Sequence, residues 1–452
     1  MSFKPNEIKI VRTAEQTGER LSELPSVYFE EDVSERESPL IQIFQEAEYQ
    51  TIEGFGAAFT EASSVTFDQM SGENQTKILD AYFNPQSGLG YSLCRTHINS
   101  CDFSTGNYDY VQEGDETLSI FDMKRDKSSL FPFILRATKV SNADFKIFAS
   151  PWSPPAWMKT NGQMNRGGKL KPEFRTAWAT YFCRYIQEAR KEGIPVWGVS
   201  VQNEPKAAQS WDSCIFTAIE ERDFVRDYLG PALKENNLED IKIIVWDHNK
   251  ERVFERAKVY YSDPEAAKYI WGTGFHWYSG DHFENLQLTH EFFPDKKLLF
   301  TEGCQEGGIH IGSWATGERY GHDILGNLNH WAVGFVDWNI MLDEQGGPNH
   351  VGNYCDAPII ADTKNDQIHF QSSYYYIGHF SRYIRPGAKR IGVSRFTDKL
   401  EVTAFKNPDA TIAVIVLNRT DEKMDYFLHR NNANAKLTSE PHSIMTLLYQ
   451  KK

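Results

Sequence analysis

Between Thr51 and Ile384, short apolar runs alternate with longer segments whose apolar residues recur every three or four positions, the pattern of parallel strands joined by crossover helices. The runs read as strands are Gly54–Thr60, Leu89–His97, Asp144–Trp152, Val196–Glu204, Ile241–Asp247, Ile270–Tyr278, Lys297–Glu302 and Val333–Leu342. Between them, Phe174–Arg190 is representative of the helices: Phe174, Ala177, Trp178, Tyr181, Phe182, Tyr185 and Ile186 form one apolar stripe, a packing face. Eight strand–helix units predict a closed (β/α)8 barrel, because closure removes both edge strands and the helices cover the outside. Several runs end in a polar or aromatic residue (Arg95, Trp152, Asn203 with Glu204, Asp247, His276 with Tyr278, Glu302, Trp338 with Asn339), and strand C-termini of such barrels meet at one mouth.

After Tyr383 and the Arg385-Pro386-Gly387 turn the pattern changes to short β-type runs, Ile391–Phe396, Leu400–Phe405, Thr411–Leu417 and Ser443–Tyr449, separated by turn residues with no room for crossover helices. This predicts an antiparallel side β-sandwich, completed by Glu7–Thr13 and Ile41–Tyr49 from the N-terminus. The expected division is 1–50 and 385–452 for the split sandwich and 51–384 for the barrel.

The chain has 452 residues, 40% of them hydrophobic, which suits a folded chain with an ample core. With 48 Lys and Arg against 62 Asp and Glu, the net charge is −14, which lacks the basic footprint of a nucleic-acid binder. No apolar run approaches the roughly 20 residues of a membrane span, and the opening MSFKPNEIKI has no apolar signal segment. Six scattered cysteines show no CxxC spacing, so reduced thiols and a cytoplasmic location are expected, and no zinc site. Phosphate-loop, HExxH and GxSxG motifs are absent, and His276, His290 and His379 are dispersed along the sequence, which favours packed or surface histidines over metal ligands.

The candidate chemistry lies in two strand ends. Val199-Ser200-Val201-Gln202-Asn203-Glu204-Pro205 delivers Asn and Glu to a rim where proline breaks the strand, and Leu298-Leu299-Phe300-Thr301-Glu302-Gly303 delivers a second Glu beside a glycine that leaves space for a ligand. A single such glutamate is ordinarily a surface residue or an ion-pair partner, here for Arg95. Two on strands of one barrel face a common cavity, as glycosidic cleavage requires: one protonates the leaving oxygen and the other meets positive charge at the anomeric carbon. Trp152, Trp157, Trp277, Tyr278, Trp338 and Tyr354 offer aromatic faces to a sugar, and Asp102, Asn203, Asn339 and Asn353 offer polar groups to its hydroxyls.

At these residues the chain resembles glycoside hydrolase family 30, which contains lysosomal glucosylceramidase and microbial β-1,6-glucanases. The carriers are EGFGAAFTEAS (53–63), CRTHINSCDFS (94–104), ASPWSPPAWMKTNG (149–162), VQNEP (201–205), DPEAAKYI (263–270), FHWY (275–278), FTEGC (300–304), DWN (337–339), GGPN (346–349) and YYIGHFSRYIRPGAKR (375–390), spread over nearly the whole chain. The resemblance implies a (β/α)8 barrel with a side β-sandwich and a retaining double displacement, with Glu204 as acid and base on the fourth strand and Glu302 as nucleophile on the seventh. It also implies a sugar subsite at Asp102, Trp152, Asn203 and Trp338, with Arg95, His276, Tyr278, Asn339 and Asn353 nearby, and neither metal nor organic cofactor. The chain departs from the lysosomal member in having no cysteine before Cys94, while 211–224 and 246–249 look more like the glucanase branch.

The expected substrate is a β-glucoside, either β-1,6-linked or glucosylceramide-like, cut from its terminus. Endo-β-1,6-glucanase, β-xylosidase and β-fucosidase activities are the alternatives within the family, and a non-catalytic carbohydrate-binding protein is the alternative outside enzymes. Glu204 is expected to be protonated in the free site, its pKa raised by Glu302.

Overall fold

The computed structural model describes residues 3–33, 37–141 and 144–450. The chain divides into two compact units, Phe55–Ile309 with Phe335–His369, and Met1–Gly54 with His310–Gly334 and Phe370–Lys452.

Eight strands close the predicted barrel in chain order: Gly54–Phe59, Leu93–Ile98, Lys146–Pro151, Val196–Ser200, Lys242–Asn249, Ile270–His276, Lys297–Glu302 and Ala332–Asn339. Three of them, Gly54–Phe59, Leu93–Ile98 and Ala332–Asn339, are buried at every position, as expected of strands covered on both faces. Register sets up the site directly: Ala58 pairs with Arg95, Arg95 with Phe148, and His276 with Glu302. Bulges adjust the mouth. Trp246 and Asp247 take φ of 72° and 49°, and the pairing of their strand with Ile270–His276 slips between Gly274 and Phe275. The predicted amphipathic helix runs over Arg175–Lys191.

Several strands are shorter than expected, the fourth most of all. Val196–Glu204 pairs as a strand only to Ser200, because the chain turns before the proline is reached: Glu204 has a left-handed φ of 46°, held by its N–H donating to Asp247 O at 3.0 Å.

In the other unit a ten-stranded sheet joins N- and C-terminal segments, and Glu7–Ala14 pairs antiparallel with Ser443–Gln450. It folds over one apolar core in which Ile8, Ile41, Val414 and Leu447 meet Tyr426, Leu428 and Leu437. Four features go beyond the sequence expectation: strands at Ser22–Tyr28, Met424–Arg430 and Ala433–Ser439, and a parallel pairing of Met424–Arg430 with Leu40–Thr51 inside an otherwise antiparallel arrangement. Helices Trp314–Asn329 and Ser372–Ser381 pack in this unit, where Gly317 admits Tyr376 so closely that a Cβ would lie 2.6 Å from its ring. All six cysteines are buried and free, and no described helix is long and apolar enough to cross a membrane.

Candidate active site

Arg95, wholly buried on the second strand, organises the barrel mouth. Its Nη1 donates to Glu302 Oε2 at 2.5 Å, its Nη2 to Asn203 Oδ1 at 2.7 Å and Asp247 Oδ2 at 2.9 Å, and its Nε to Ser150 Oγ at 3.0 Å. Charge-assisted bonds from one planar guanidinium thereby fix groups from the third, fifth and seventh strands and the turn after the fourth. Tyr278 OH donates to Glu302 Oε1 at 3.0 Å, so both oxygens of this carboxylate are held. On the other side, His276 bridges two carboxylates, its Nδ1 lying 3.2 Å from Glu204 Oε1 and its Nε2 3.0 Å from Asp247 Oδ1. The same Nδ1 is 3.8 Å from Glu302 Oε1, and His248 Nδ1 is 3.7 Å from Glu204 Oε1.

These contacts set the proton positions. Burial acts against the imidazolium of His276, but the charge of Glu302 and the hydrogen bonds to Asp247 and Glu204 outweigh it and raise the pKa to about 9. Burial likewise opposes ionisation of Asp247, which Arg95 and His276 reverse, leaving it well below the usual carboxylate range. The expectation for Glu204 is corrected. Although burial pushes its pKa up, the His276 hydrogen bond and the charges of His248 and His276 carry it below its ordinary value. Glu302 moves up instead, driven by burial and by the charges of Glu204 and Asp247 against the pull of His276 and Arg95. Burial also raises Asp102 to about 7, although Asn353 donates to it at 3.0 Å.

A cavity of about 190 Å³ opens over both glutamates. Asp102, Trp152, Asn203, Tyr278, Trp338 and Asn353 line it, and Trp152 and Trp338 stack with ring centroids 5.1 Å apart at 19°. Arg95 and His276 stand behind the carboxylates rather than in the lining. Asn339 does not reach the cavity: Thr60 Oγ1 donates to its Oδ1 at 2.6 Å. Trp157 packs on Phe174, Trp277 is buried against Phe300, and Tyr354 is outside the lining, so these three aromatics are not brought to the cavity. Gly303 also differs from its expected role. A Cβ there would lie 2.6 Å from Phe300 and 2.9 Å from Trp277, so the glycine admits ring packing and not a ligand.

Sequence reasoning did not name Gln209, Trp211, His248, Asn249 or Glu306 as site residues; with Cys304 and Cys355 they complete the lining. Trp211, His248 and Asn249 lie in the segments 211–224 and 246–249, whose likeness to the glucanase branch was the available signal. Glu204, His248 and His276 each offer one ligand atom, all within 4.8 Å of one another, so a metal-binding geometry exists where the sequence showed only dispersed histidines.

Residues 52–384 match the Glycosyl hydrolase family 30 TIM-barrel domain and residues 387–447 the Glycosyl hydrolase family 30 beta sandwich domain. The lysosomal acid glucosylceramidase of Mus musculus is 36% identical over 433 residues, covering 91% of this chain and 84% of the mouse protein. Among solved structures, SrfJ from Salmonella typhimurium is 38% identical with a TM-score of 0.95, covering 99% of this chain and 100% of that one. The endo-β1,6-glucanase BT3312 is 29% identical with a TM-score of 0.88 and the same coverage.

Proposed function

Because the chain belongs to glycoside hydrolase family 30 and is a glycoside hydrolase, we propose that it cleaves β-glucosides with retention of configuration, Glu204 serving as acid and base and Glu302 as nucleophile. The observation that carries this reading is the shared His276 Nδ1, 3.2 Å from Glu204 Oε1 and 3.8 Å from Glu302 Oε1. Two oxygens so placed are at most about 7 Å apart, so both carboxylates can address one anomeric centre.

In the first step a Glu302 oxygen attacks the anomeric carbon while Glu204 gives its proton to the leaving oxygen, yielding a glycosyl ester and a free alcohol. In the second, water loses a proton to Glu204 and displaces Glu302. The ligand-free site holds Glu204 as the more acidic of the two, so the first step requires a proton to return to it. His276 Nδ1, 3.2 Å away, is the adjacent source. Arg95 and Tyr278 hold Glu302 in place for attack.

The favoured substrate is a β-1,6-linked gluco-oligosaccharide, cut from its terminus. The lining includes His248 Nδ1 and Asn249 Oδ1, two buried polar atoms without a hydrogen-bond partner, which suit a hydroxylated leaving group better than acyl chains. Trp152 stacked on Trp338, with Asp102 held by Asn353, gives a wall for one terminal glucose. An early time course on a β-1,6-gluco-oligosaccharide of four or more units, run beside glucosylceramide and followed by proton NMR, tests this. Glucose as first product, appearing as the β-anomer, is expected. Longer first products overturn the terminal cut, a first-formed α-anomer overturns retention, and preference for glucosylceramide overturns the leaving-group assignment.

A further inference from the structure

We propose that Glu204, His248 and His276 form a binding site for a zinc-type divalent cation, and that its occupancy switches the hydrolase off. The ligand set is two imidazole nitrogens and one carboxylate oxygen, a combination suited to zinc that leaves a fourth position for water, and His276 Nδ1 releases its proton to solvent as the ion binds. The spacing is close to that of a zinc site, and a small inward movement of a histidine ring completes it. Ligand atoms around a tetrahedral zinc at about 2.0–2.1 Å stand roughly 3.3 Å apart, and Glu204 Oε1 lies 3.2 Å from His276 Nδ1 and 3.7 Å from His248 Nδ1, with all three ligand atoms within 4.8 Å.

Two further observations point to a cation. His248 Nδ1 is buried and has no hydrogen-bond partner, although it faces Glu204, so a bound ion would satisfy an atom that the fold leaves unmet. His276 Nε2 lies 3.0 Å from Asp247 Oδ1, itself anchored by Arg95, which is the carboxylate–histidine arrangement that orients a metal-bound imidazole and strengthens it as a ligand. The surrounding cavity gives a cation access. Hard cations such as Mg2+ favour all-oxygen octahedral sites and are disfavoured here.

The inhibitory consequence rests on the role proposed for Glu204: a carboxylate oxygen bound to zinc is not available to carry the proton for the leaving group. Cation binding itself does not depend on that role. The rival zinc ligands in the same cavity are the neighbouring thiols of Cys304 and Cys355, which hydrogen-bond to each other.

Calorimetric titration of the full chain with Zn2+ alone tests binding without any sugar. One site per chain is expected, weakened at least tenfold in His248→Asn and in Glu204→Gln and retained in Cys355→Ser. Co2+ added in place of zinc should give visible d–d bands without the near-ultraviolet band of a thiolate–cobalt bond. Hydrolysis should fall as the site fills and return with a chelator, while Mg2+ leaves it unchanged. Zinc binding unaltered by His248→Asn, a thiolate–cobalt band, or no binding overturns the proposal. If zinc binds as described but no β-glucoside is cleaved, the reading of function alone fails.

Discussion

His276 at the barrel mouth and His379 in the sheet unit are both wholly buried, yet their pKa values move in opposite directions. His379 lies on the helix Ser372–Ser381, with Nδ1 2.8 Å from Thr446 Oγ1 and Nε2 2.9 Å from Thr13 Oγ1. Its partners are neutral hydroxyls, so burial, helped by the charge of Arg382, lowers its pKa to about 3. His276 suffers the same burial, but its partners are carboxylates and its pKa rises to about 9. Low dielectric alone discharges a histidine, and only opposite charge within hydrogen-bonding reach reverses that. The sheet unit uses its histidine as a neutral strut between segments, whereas the barrel maintains a buried charged cluster. Such clusters are weak stabilisers, which makes the cluster better explained by chemistry than by folding.

Removing charge from the barrel cluster should have the largest effect. Glu302→Gln is expected to lower kcat by more than the roughly 10²–10⁴ that acid–base assistance contributes, because an amide neither attacks nor stabilises the developing cation. Glu204→Gln should fall within that range on substrates with poor leaving groups and lose less on good ones, as steady-state rates on both substrate types will show. A larger loss for Glu204→Gln on good leaving groups would mean that the two roles are exchanged.

Asp247→Asn removes the anchor shared by Arg95 and His276. Breaking a buried pair from one side typically costs about 3–5 kcal/mol, to be read as a shift in denaturant midpoint. The His276 pKa should fall toward its ordinary value, visible in ring-proton NMR. An unshifted His276 would remove the carboxylate explanation of the comparison.

The pH dependence of stability separates the two histidines by sign. His276 is raised in the fold, so its contribution is complete below the unfolded value of about 6.5 and is lost as pH rises through about 9. His379 is depressed in the fold, so its neutral form supports stability above about 6.5, and that support is lost as pH falls toward about 3. Denaturant unfolding of His379→Gln and the parent should therefore diverge in slope on the acid side and not on the alkaline side. The smallest effect is expected from Thr446→Val, which leaves His379 Nδ1 without its partner at a cost of about 1–3 kcal/mol and leaves kcat/KM unchanged.

Strand-end glutamates were readable because each terminates an apolar run, and a barrel carries such ends to one mouth: Glu302 closes its strand as expected. The fourth strand was overread because Val201 and Gln202 continue an apolar-looking run, while the left-handed φ of Glu204 depends on Asp247 O, a partner distant in sequence. Met424–Arg430 and Ala433–Ser439 escaped notice since their alternating polar positions match turn composition, and their placement depends on pairing with one another and with Leu40–Thr51. At the site, Asp102, Trp152 and Trp338 followed from motif position, but Trp211 enters from a loop whose course no local periodicity encodes, and His248 lies on the fifth strand one residue beyond its expected end at Asp247. The sign of the Glu204 shift was misjudged because sequence counts the two glutamates but does not show that one imidazole stands between them.

The most direct test of the account is to trap the intermediate. The parent chain, incubated with a 2-deoxy-2-fluoro-β-glucoside bearing a good leaving group, should gain the mass of one fluoroglucosyl group, and peptide fragmentation should place it on Glu302. Labelling at Glu204 or any other residue, or turnover with inversion and no covalent species, would contradict the account.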